Sequence, residues 1–254
     1  MFTDTHSHYD DDAFDSDRDE LLKSFLENKI DRVITIGCDI KTSVSATELS
    51  NKYDFVYCAV GFHPHDASDF NNENADFLIK LAKENKKVVA WGEIGLDYHY
   101  PEPSRNTQKE VFIKQIEIAN SLNLPVSIHS RDAMKDTVDI LKDHPCKGVF
   151  HCYSGSVETM KELIKMGYYI SFSGTVSFKN AKEVKEVAKY VPSDRYLIET
   201  DCPYLSPEPN RGKRNSSLNL VYTAEAIAQI RGASLEQVAE ETTKNAFSLF
   251  AKLK

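Results

Sequence analysis

No stretch of this sequence is long and apolar enough to span a membrane. The longest apolar run, FVYCAVGF at 55–62, has eight residues against the roughly 20 that a spanning helix needs. The acidic segment DDDAFDSD near the start is unlike the basic and then apolar opening of a secretory signal, so a cytoplasmic location is expected. The five cysteines (Cys38, Cys58, Cys146, Cys152 and Cys202) are odd in number, scattered, and form no C-x-x-C pair. That argues against a disulfide framework and against a thiolate zinc site. Net positive charge is also lacking: 39 acidic against 31 basic residues give a formal net charge of −8, which argues against a broad basic surface for gripping duplex DNA. It leaves room for a nucleic-acid substrate that meets a local basic patch. No Pro/Gly/Ser linker divides the chain and no motif repeats at a fixed period, so 1–254 is expected to be a single domain.

What the sequence does have is a rhythm of short apolar segments separated by longer ones with helical periodicity. The expected strands are Met1–Thr5, Arg32–Gly37, Phe55–Val60, Val88–Gly92, Pro125–His129, Gly148–His151, Tyr168–Phe172 and Tyr196–Thr200. Most are continuous apolar runs, the pattern of parallel strands buried on both faces. Between them, TQKEVFIKQIEIANSL opens on an expected capping box from Thr107 to Glu110 and carries Phe112, Ile116 and Ala119 along one stripe. VETMKELIKMG ends at Gly167, an expected helix terminator, and Ser234 to Gln237 reads as a second capping box. Eight strands alternating with helices over 254 residues predict an α/β chain of the (β/α)8 TIM-barrel class. A doubly wound open sheet is the competitor, but neither G-x-G-x-x-G nor G-x-x-x-x-G-K-[ST] follows any strand.

In such a barrel the active site is built at the C-terminal ends of the strands. Those ends carry His6 and His8, then His63 and His65, then Glu93, Asp97 and His99, then His129, His151 and Asp201. Of the eight histidines only His144 stands elsewhere. His6 and His8 are two apart and share a strand face with Asp4, which lies one pleat deeper and suits a buried hydrogen-bonding role. His6, His8, Glu93, His129, His151 and Asp201 together offer four imidazoles and two carboxylates. That donor set suits one or two divalent ions such as Mg²⁺, Mn²⁺ or Zn²⁺ and the chemistry of metal-assisted hydrolysis. Asp97 and His63 suit either orienting water and substrate or locking loops. His65 and His99 are weaker candidates. Cys152 and Cys202 adjoin ligand positions on the opposite strand face, so they read as packing residues.

The segments DTHSHYDD, VGFHPH, GEIGLDYHY, LPVSIHSRDA, HCYSGS, ISFSGT, ETDCPYLSPEP and RGKRN, followed by TTKNAFSLF, resemble in that order the TatD family of metal-dependent deoxyribonucleases. The D-x-H-x-H start is shared with the wider amidohydrolase superfamily. The resemblance implies a TIM barrel in which His6, His8 and Asp201 hold one divalent ion, Glu93 bridges to a second, and His129 and His151 complete it. It implies Glu93 and Asp201 as the catalytic carboxylates, Asp201 accepting or relaying the proton. DNA is then the expected substrate, single-stranded or at frayed ends, cleaved by exonucleolytic attack of a metal-activated water; no membrane and no obligate protein partner are implied. Arg105, Arg131, Arg211, Lys213 and Arg214 follow barrel strands and are the expected phosphate contacts, with His63 beside them. Where the family commonly continues RGKRN with Glu-Pro, this chain has Ser216-Ser217 after Asn215, which bears on the loop and on substrate preference rather than on the metal centre. The same donor set also serves an esterase, a lactonase or an aminoacyl-tRNA deacylase. A non-catalytic metal or nucleic-acid binding barrel is the third reading.

Overall fold

The computed structural model describes residues 1–253. Eight strands stand in one sheet in chain order: β1 (Phe2–Ser7), β2 (Ile30–Ile36), β3 (Val56–Val60), β4 (Val88–Asp97), β5 (Val126–Arg131), β6 (Gly148–Phe150), β7 (Tyr169–Phe172) and β8 (Tyr196–Ile198). Helices alternate with them: α1 (Arg18–Lys23), α2 (Ile40–Lys52), α3 (Asn72–Glu84), α4 (Arg105–Ser121), α5 (Met134–Asp143), α6 (Val157–Lys165), α7 (Lys182–Tyr190), α8 (Leu220–Arg231) and α9 (Leu235–Leu249). A doubly wound sheet reverses its strand order at a switch point. The sequential order here excludes it and gives the (β/α)8 class. Among the described residues no helix is long and apolar enough to cross a membrane.

The chain forms two compact units, one of residues 1–35 with 151–248 and one of residues 36–150 with the segment from Leu249. In the first, β1 pairs in parallel with β2 (Asp4 opposite Val33) and β7 with β8 (Ile170 opposite Tyr196). The two ends of the chain meet here. Thr5 Oγ1 donates to the Ile198 carbonyl at 3.0 Å, the Asp201 amide to the His6 carbonyl at 2.9 Å, and the His8 amide to the Cys202 carbonyl at 2.8 Å. These bonds bring a residue near 200 to the strand that opens the chain.

In the second unit β3, β4, β5 and β6 pair in parallel. All ten residues of β4 are buried, and the strand runs five residues past the expected end at Gly92. Glycine reads in a sequence as a strand breaker. Here its missing side chain is what the strand needs: Gly95 has φ 146°, and a Cβ on it would overlap the carbonyl oxygen of His129. The close approach of β4 to β5 carries Asp97 into register with Arg131.

Helix starts follow from side chains that satisfy the first amides. Helix α4 begins earlier than expected, at Arg105. Ser104 is its cap, accepting from the Thr107 amide at 3.2 Å, so Thr107 is the third helical residue and not the cap. Ser234 accepts from the Gln237 amide at 3.1 Å, one half of the expected box, while the Gln237 side chain donates to Glu241 at 2.8 Å; Gly167 adopts φ 94° just beyond α6. Phe112, Ile116 and Ala119 are buried on α4, but so are Gln108 and Gln115 on the same side. Gln115 Oε1 accepts from the Phe62 amide (2.8 Å) and from the Trp91 indole (3.1 Å), while its Nε2 donates to the Phe62 carbonyl at 2.9 Å. Gln108 grips the backbone of Asp97 in the same way, accepting from its amide and donating to its carbonyl, each at 2.8 Å.

Cys58 on β3 is wholly buried, and burial pushes its thiol up to about 11, with hydrogen bonds to Ser50 and Thr47 opposing. At pH 8 only about one molecule in a thousand then carries the thiolate that reacts with alkylating agents. Native protein treated with iodoacetamide at pH 8 should remain unmodified at Cys58, and unfolding in guanidinium should expose it. Peptide mass spectrometry reads both, and rapid native labelling of Cys58 would contradict the packing.

Candidate metal centre

In the first unit, β1 delivers His6 and the turn after it His8. The backbone bond from Asp201 to His6 sets the aspartate opposite them, with Asp201 at φ 55°. The two Nε2 atoms are 3.2 Å apart, and Asp201 Oδ1 lies 3.3 Å from His8 Nε2 and 3.7 Å from His6 Nε2. Burial alone would raise the Asp201 carboxyl. The hydrogen bond from His8 and the neighbouring His151, His6 and His8 outweigh it and hold the group below the usual carboxylate range. Asp4 takes hydrogen bonds instead of joining this trio. It accepts from Thr200 Oγ1 and Ser217 Oγ (each 2.6 Å) and from the Thr200 amide (3.0 Å), and complete burial pushes it up to about 7 against those bonds. Ser217, in the segment that follows RGKRN, therefore ties that segment to the base of the site.

His151 stacks on His6, with ring centroids 4.0 Å apart and planes 13° from parallel. Its Nδ1 faces Glu199 Oε1 at 3.3 Å, and the same oxygen accepts the Cys152 amide at 2.7 Å. Glu199 is buried and was not anticipated. The signal was a second carboxylate in ETD, two residues before Asp201 at the end of the same apolar run. A carboxylate behind a histidine fixes its tautomer: a proton held on Nδ1 puts the ring's lone pair on Nε2, the atom that can ligate a metal. Cys202 is fully buried and Cys152 sits beside Ser173, its Sγ 3.1 Å from the hydroxyl.

In the second unit, Glu93 on β4 and His129 on β5 meet with Glu93 Oε1 2.8 Å from His129 Nδ1. The other ring nitrogen, Nε2, lies 3.1 Å from Asp97 Oδ2, which His65 Nε2 also approaches to 3.1 Å. Burial pushes Asp97 up, but the His129 hydrogen bond, the His99 amide and the charges of His129 and His65 hold it well below the usual carboxylate range. Cys38, passed over in the sequence, brings its thiol to 4.0 Å from Glu93 Oε2. His63 Nε2 is 3.8 Å from Glu93 Oε1, so His63, Glu93 and His129 form a cluster of potential ligands. The chemistry separates its members. His63 Nδ1 accepts the His65 amide at 3.2 Å, so a neutral His63 carries its proton on Nε2 and faces Glu93 as a donor. Glu93 and His129 are thus the candidate ligand pair here, with His63 a hydrogen-bond donor beside them.

Both clusters have donor sets that fit divalent ions. Bonds of about 2.0–2.1 Å at tetrahedral angles separate neighbouring donor atoms by about 3.3 Å, and His6, His8 and Asp201 show 3.2, 3.3 and 3.7 Å. His129 sits between two carboxylates. A neutral imidazole can donate to only one, so the second nitrogen needs a proton or a cation. Glu199 Oε2 is buried with no hydrogen-bond partner among the described residues.

The expected phosphate contacts are all exposed. Arg105 lies over the Tyr98 ring at 4.4 Å and Arg131 over Tyr100 at 5.8 Å. Arg211 stacks on Phe178 at 4.3 Å, and Lys213 Nζ reaches Asn210 Oδ1 at 3.5 Å. Arg214 is engaged elsewhere: its guanidinium forks onto Asp17 at 2.8 and 2.5 Å and donates to the Ala13 carbonyl at 2.6 Å.

A family model described as TatD related DNase matches residues 3–251. An uncharacterized metal-dependent hydrolase of Bacillus subtilis, YabD, is 45% identical, the match covering 98% of this chain and 99% of that protein. A protein of Shigella flexneri named 3'-5' ssDNA/RNA exonuclease TatD is 31% identical over 93% of this chain and 94% of its own. Among solved structures, the TatD homologue YjjV of Escherichia coli superposes with a TM-score of 0.92 at 26% identity, covering 98% of each chain. A match along the whole chain, a shared fold and donor sets that fit divalent ions agree: the chain belongs to the TatD family and is a metal-dependent hydrolase.

Proposed function

We propose that this hydrolase is a deoxyribonuclease that removes nucleotides from single-stranded or frayed DNA ends, in the cytoplasm, with two divalent ions (Mg²⁺, Mn²⁺ or Zn²⁺). The observation that carries the reading is the trio of His6, His8 and Asp201 within ligand distance of one another in a chain related to a named single-strand exonuclease. His6, His8 and Asp201 would hold one ion, and Glu93, His129 and His151, the further ligands that the resemblance implies, would serve the other. When bound, such ions polarise the phosphoryl oxygens and lower the pKa of a water. The protein's own groups do the rest. Asp201, kept ionised by the imidazoles around it, accepts the proton of the attacking water. His63 offers its Nε2 proton to a substrate or water oxygen beside Glu93. Asp97 holds His129, and Glu199 holds His151, each with one nitrogen turned to its carboxylate.

Arg105, Arg131, Arg211, Lys213 and Arg214 supply the cationic rim, Arg214 through the loop it anchors on Asp17. Phosphate neutralisation on a single strand gives a salt dependence of about −0.7 per contact. The Arg211→Gln/Lys213→Gln protein should bind and cleave end-labelled single-stranded DNA more weakly, with a log–log salt slope flatter by about 1.4. Wild type stripped and reloaded with Mg²⁺ or Mn²⁺ must degrade that substrate. A reloaded enzyme that spares DNA but hydrolyses a small neutral ester, with the double variant losing nothing, would make it an esterase on the same site.

A further inference from the structure

Large apolar side chains exposed among the described residues are few: Met1, Leu26, Phe77, Tyr100, Tyr190 and Tyr204. Two of them follow a carboxylate of the candidate site by three residues, Tyr100 after Asp97 and Tyr204 after Asp201. Tyr204 spends its hydroxyl on Asp11 Oδ2 at 2.9 Å. Tyr100 leaves 51% of its surface open to solvent, yet its ring is held from several sides. The His99 imidazole meets it edge to face with centroids 4.8 Å apart, His65 does so at 5.3 Å, and the Arg131 guanidinium stands over it at 5.8 Å. The chain leading to it is pinned as well. The Tyr98 amide donates to the Arg131 carbonyl and the His99 amide to Asp97 Oδ1, both at 2.9 Å, and the Tyr98 hydroxyl donates to Asp136 at 2.8 Å. His65 Nε2 shares Asp97 Oδ2 with His129 Nε2, so two side chains, His65 and Asp97, link the ring to the candidate ligand His129.

We propose that Tyr100 is a stacking platform for a nucleobase of the substrate strand, with Arg131 meeting the adjoining phosphate. The inference rests on the nuclease reading above and adds a recognition element to it. An aromatic face beside a cation is the combination by which proteins hold single strands without reading their sequence, because every base has a π-face. A pre-positioned ring gives such contact without the cost of ordering it on binding. A metal centre needs no aromatic ring for phosphoryl chemistry, so the ring acts on affinity and on strand choice. Duplex ends, whose bases are already stacked on their neighbours, gain less from it than free single strands.

The test uses the Mg²⁺-reloaded full chain and a set of single-stranded hexanucleotides, each with one abasic residue at a different position. Tyr100→Ala should raise KM for the intact oligonucleotide about 5- to 100-fold with kcat little changed, and Tyr100→Phe should restore it. At one position, loss of the base should cost wild type about what Tyr100→Ala costs, and should cost the alanine variant nothing more. A 2-aminopurine at that position should be quenched on binding to wild type and to Tyr100→Phe but not to Tyr100→Ala. A purely structural role would lower activity on every substrate alike and show no such coupling. Cleavage by wild type with no position coupled to Tyr100 overturns the platform and leaves the nuclease reading standing. A wild type that neither binds nor cleaves single-stranded DNA removes both.

Discussion

His6→Ala should cost more than about a thousandfold in metal-dependent turnover, together with loss of one bound ion per chain. The argument starts from geometry. His6 Nε2 lies within 3.7 Å of both other members of its trio, and its ring is 1% exposed, so no water-filled space surrounds it from which a replacement ligand could be recruited cheaply. Removing a group that only orients a ligand typically costs 10- to 100-fold in affinity or activity, about, and removing the ligand itself costs more. Asp201→Ala should be at least as severe, because it removes both a donor atom and the proposed proton acceptor. Asp97→Ala and Glu199→Ala, which act through His129 and His151, should fall within the smaller range. Metal content by inductively coupled plasma spectrometry and cleavage of end-labelled DNA read the two effects separately. If His6→Ala kept both its ions and its turnover, the trio would not be a metal site.

The sequence made the strand ends legible because one chemical signal, a histidine or carboxylate after an apolar run, recurred at six of them. The first-unit trio was readable in part: alternation on a strand put His6 and His8 on one face, and the resemblance to the TatD family joined Asp201 to them. Other features were hidden by physics that pattern reading does not weigh. Gly92 looked like the end of β4, whereas the missing side chain at Gly95 is what lets the strand continue against β5. Thr107 looked like a cap because Glu110 follows it, but Ser104 had already begun the helix. Glu199 was passed over beside the more conspicuous Asp201, and its pairing with His151 depends on a contact 48 residues away in sequence. Arg214 reads in the sequence only as one of a run of cations; its partner Asp17 lies 197 residues earlier, beyond any local pattern.

Gln115 is the clearest case of a residue whose polarity misleads, and replacing it should be costly. On α4 it sits in the stripe of Phe112, Ile116 and Ala119, where a glutamine reads as the edge of a solvated face, yet it is 1% exposed. Its amide closes three hydrogen bonds, to both backbone groups of Phe62 and to the Trp91 indole. Gln115→Leu preserves helix propensity and roughly the volume but leaves two donors and one acceptor without that partner. Each unsatisfied buried group costs about 1–3 kcal/mol, so a loss of about 3 kcal/mol or more is expected. That is a large share of the roughly 5–15 kcal/mol that holds a native protein together. At about 2–4 °C per kcal/mol for a chain of this size, the melting temperature should fall by about 6–12 °C. The effect should also reach the site, because Phe62 precedes His63 and Trp91 stands two residues before Glu93 on β4. Gln115→Glu keeps the acceptor for Phe62 and Trp91 but loses the donor and buries a charge, so it should not rescue the loss. Calorimetry on the metal-free and metal-reloaded proteins separates the two contributions: a deficit present in both belongs to the packing of α4, and any further deficit on reloading belongs to the site it braces. A Gln115→Leu protein as stable as wild type would mean that Phe62 and Trp91 find other partners, and that α4 positions the second unit's ligands by apolar contact alone.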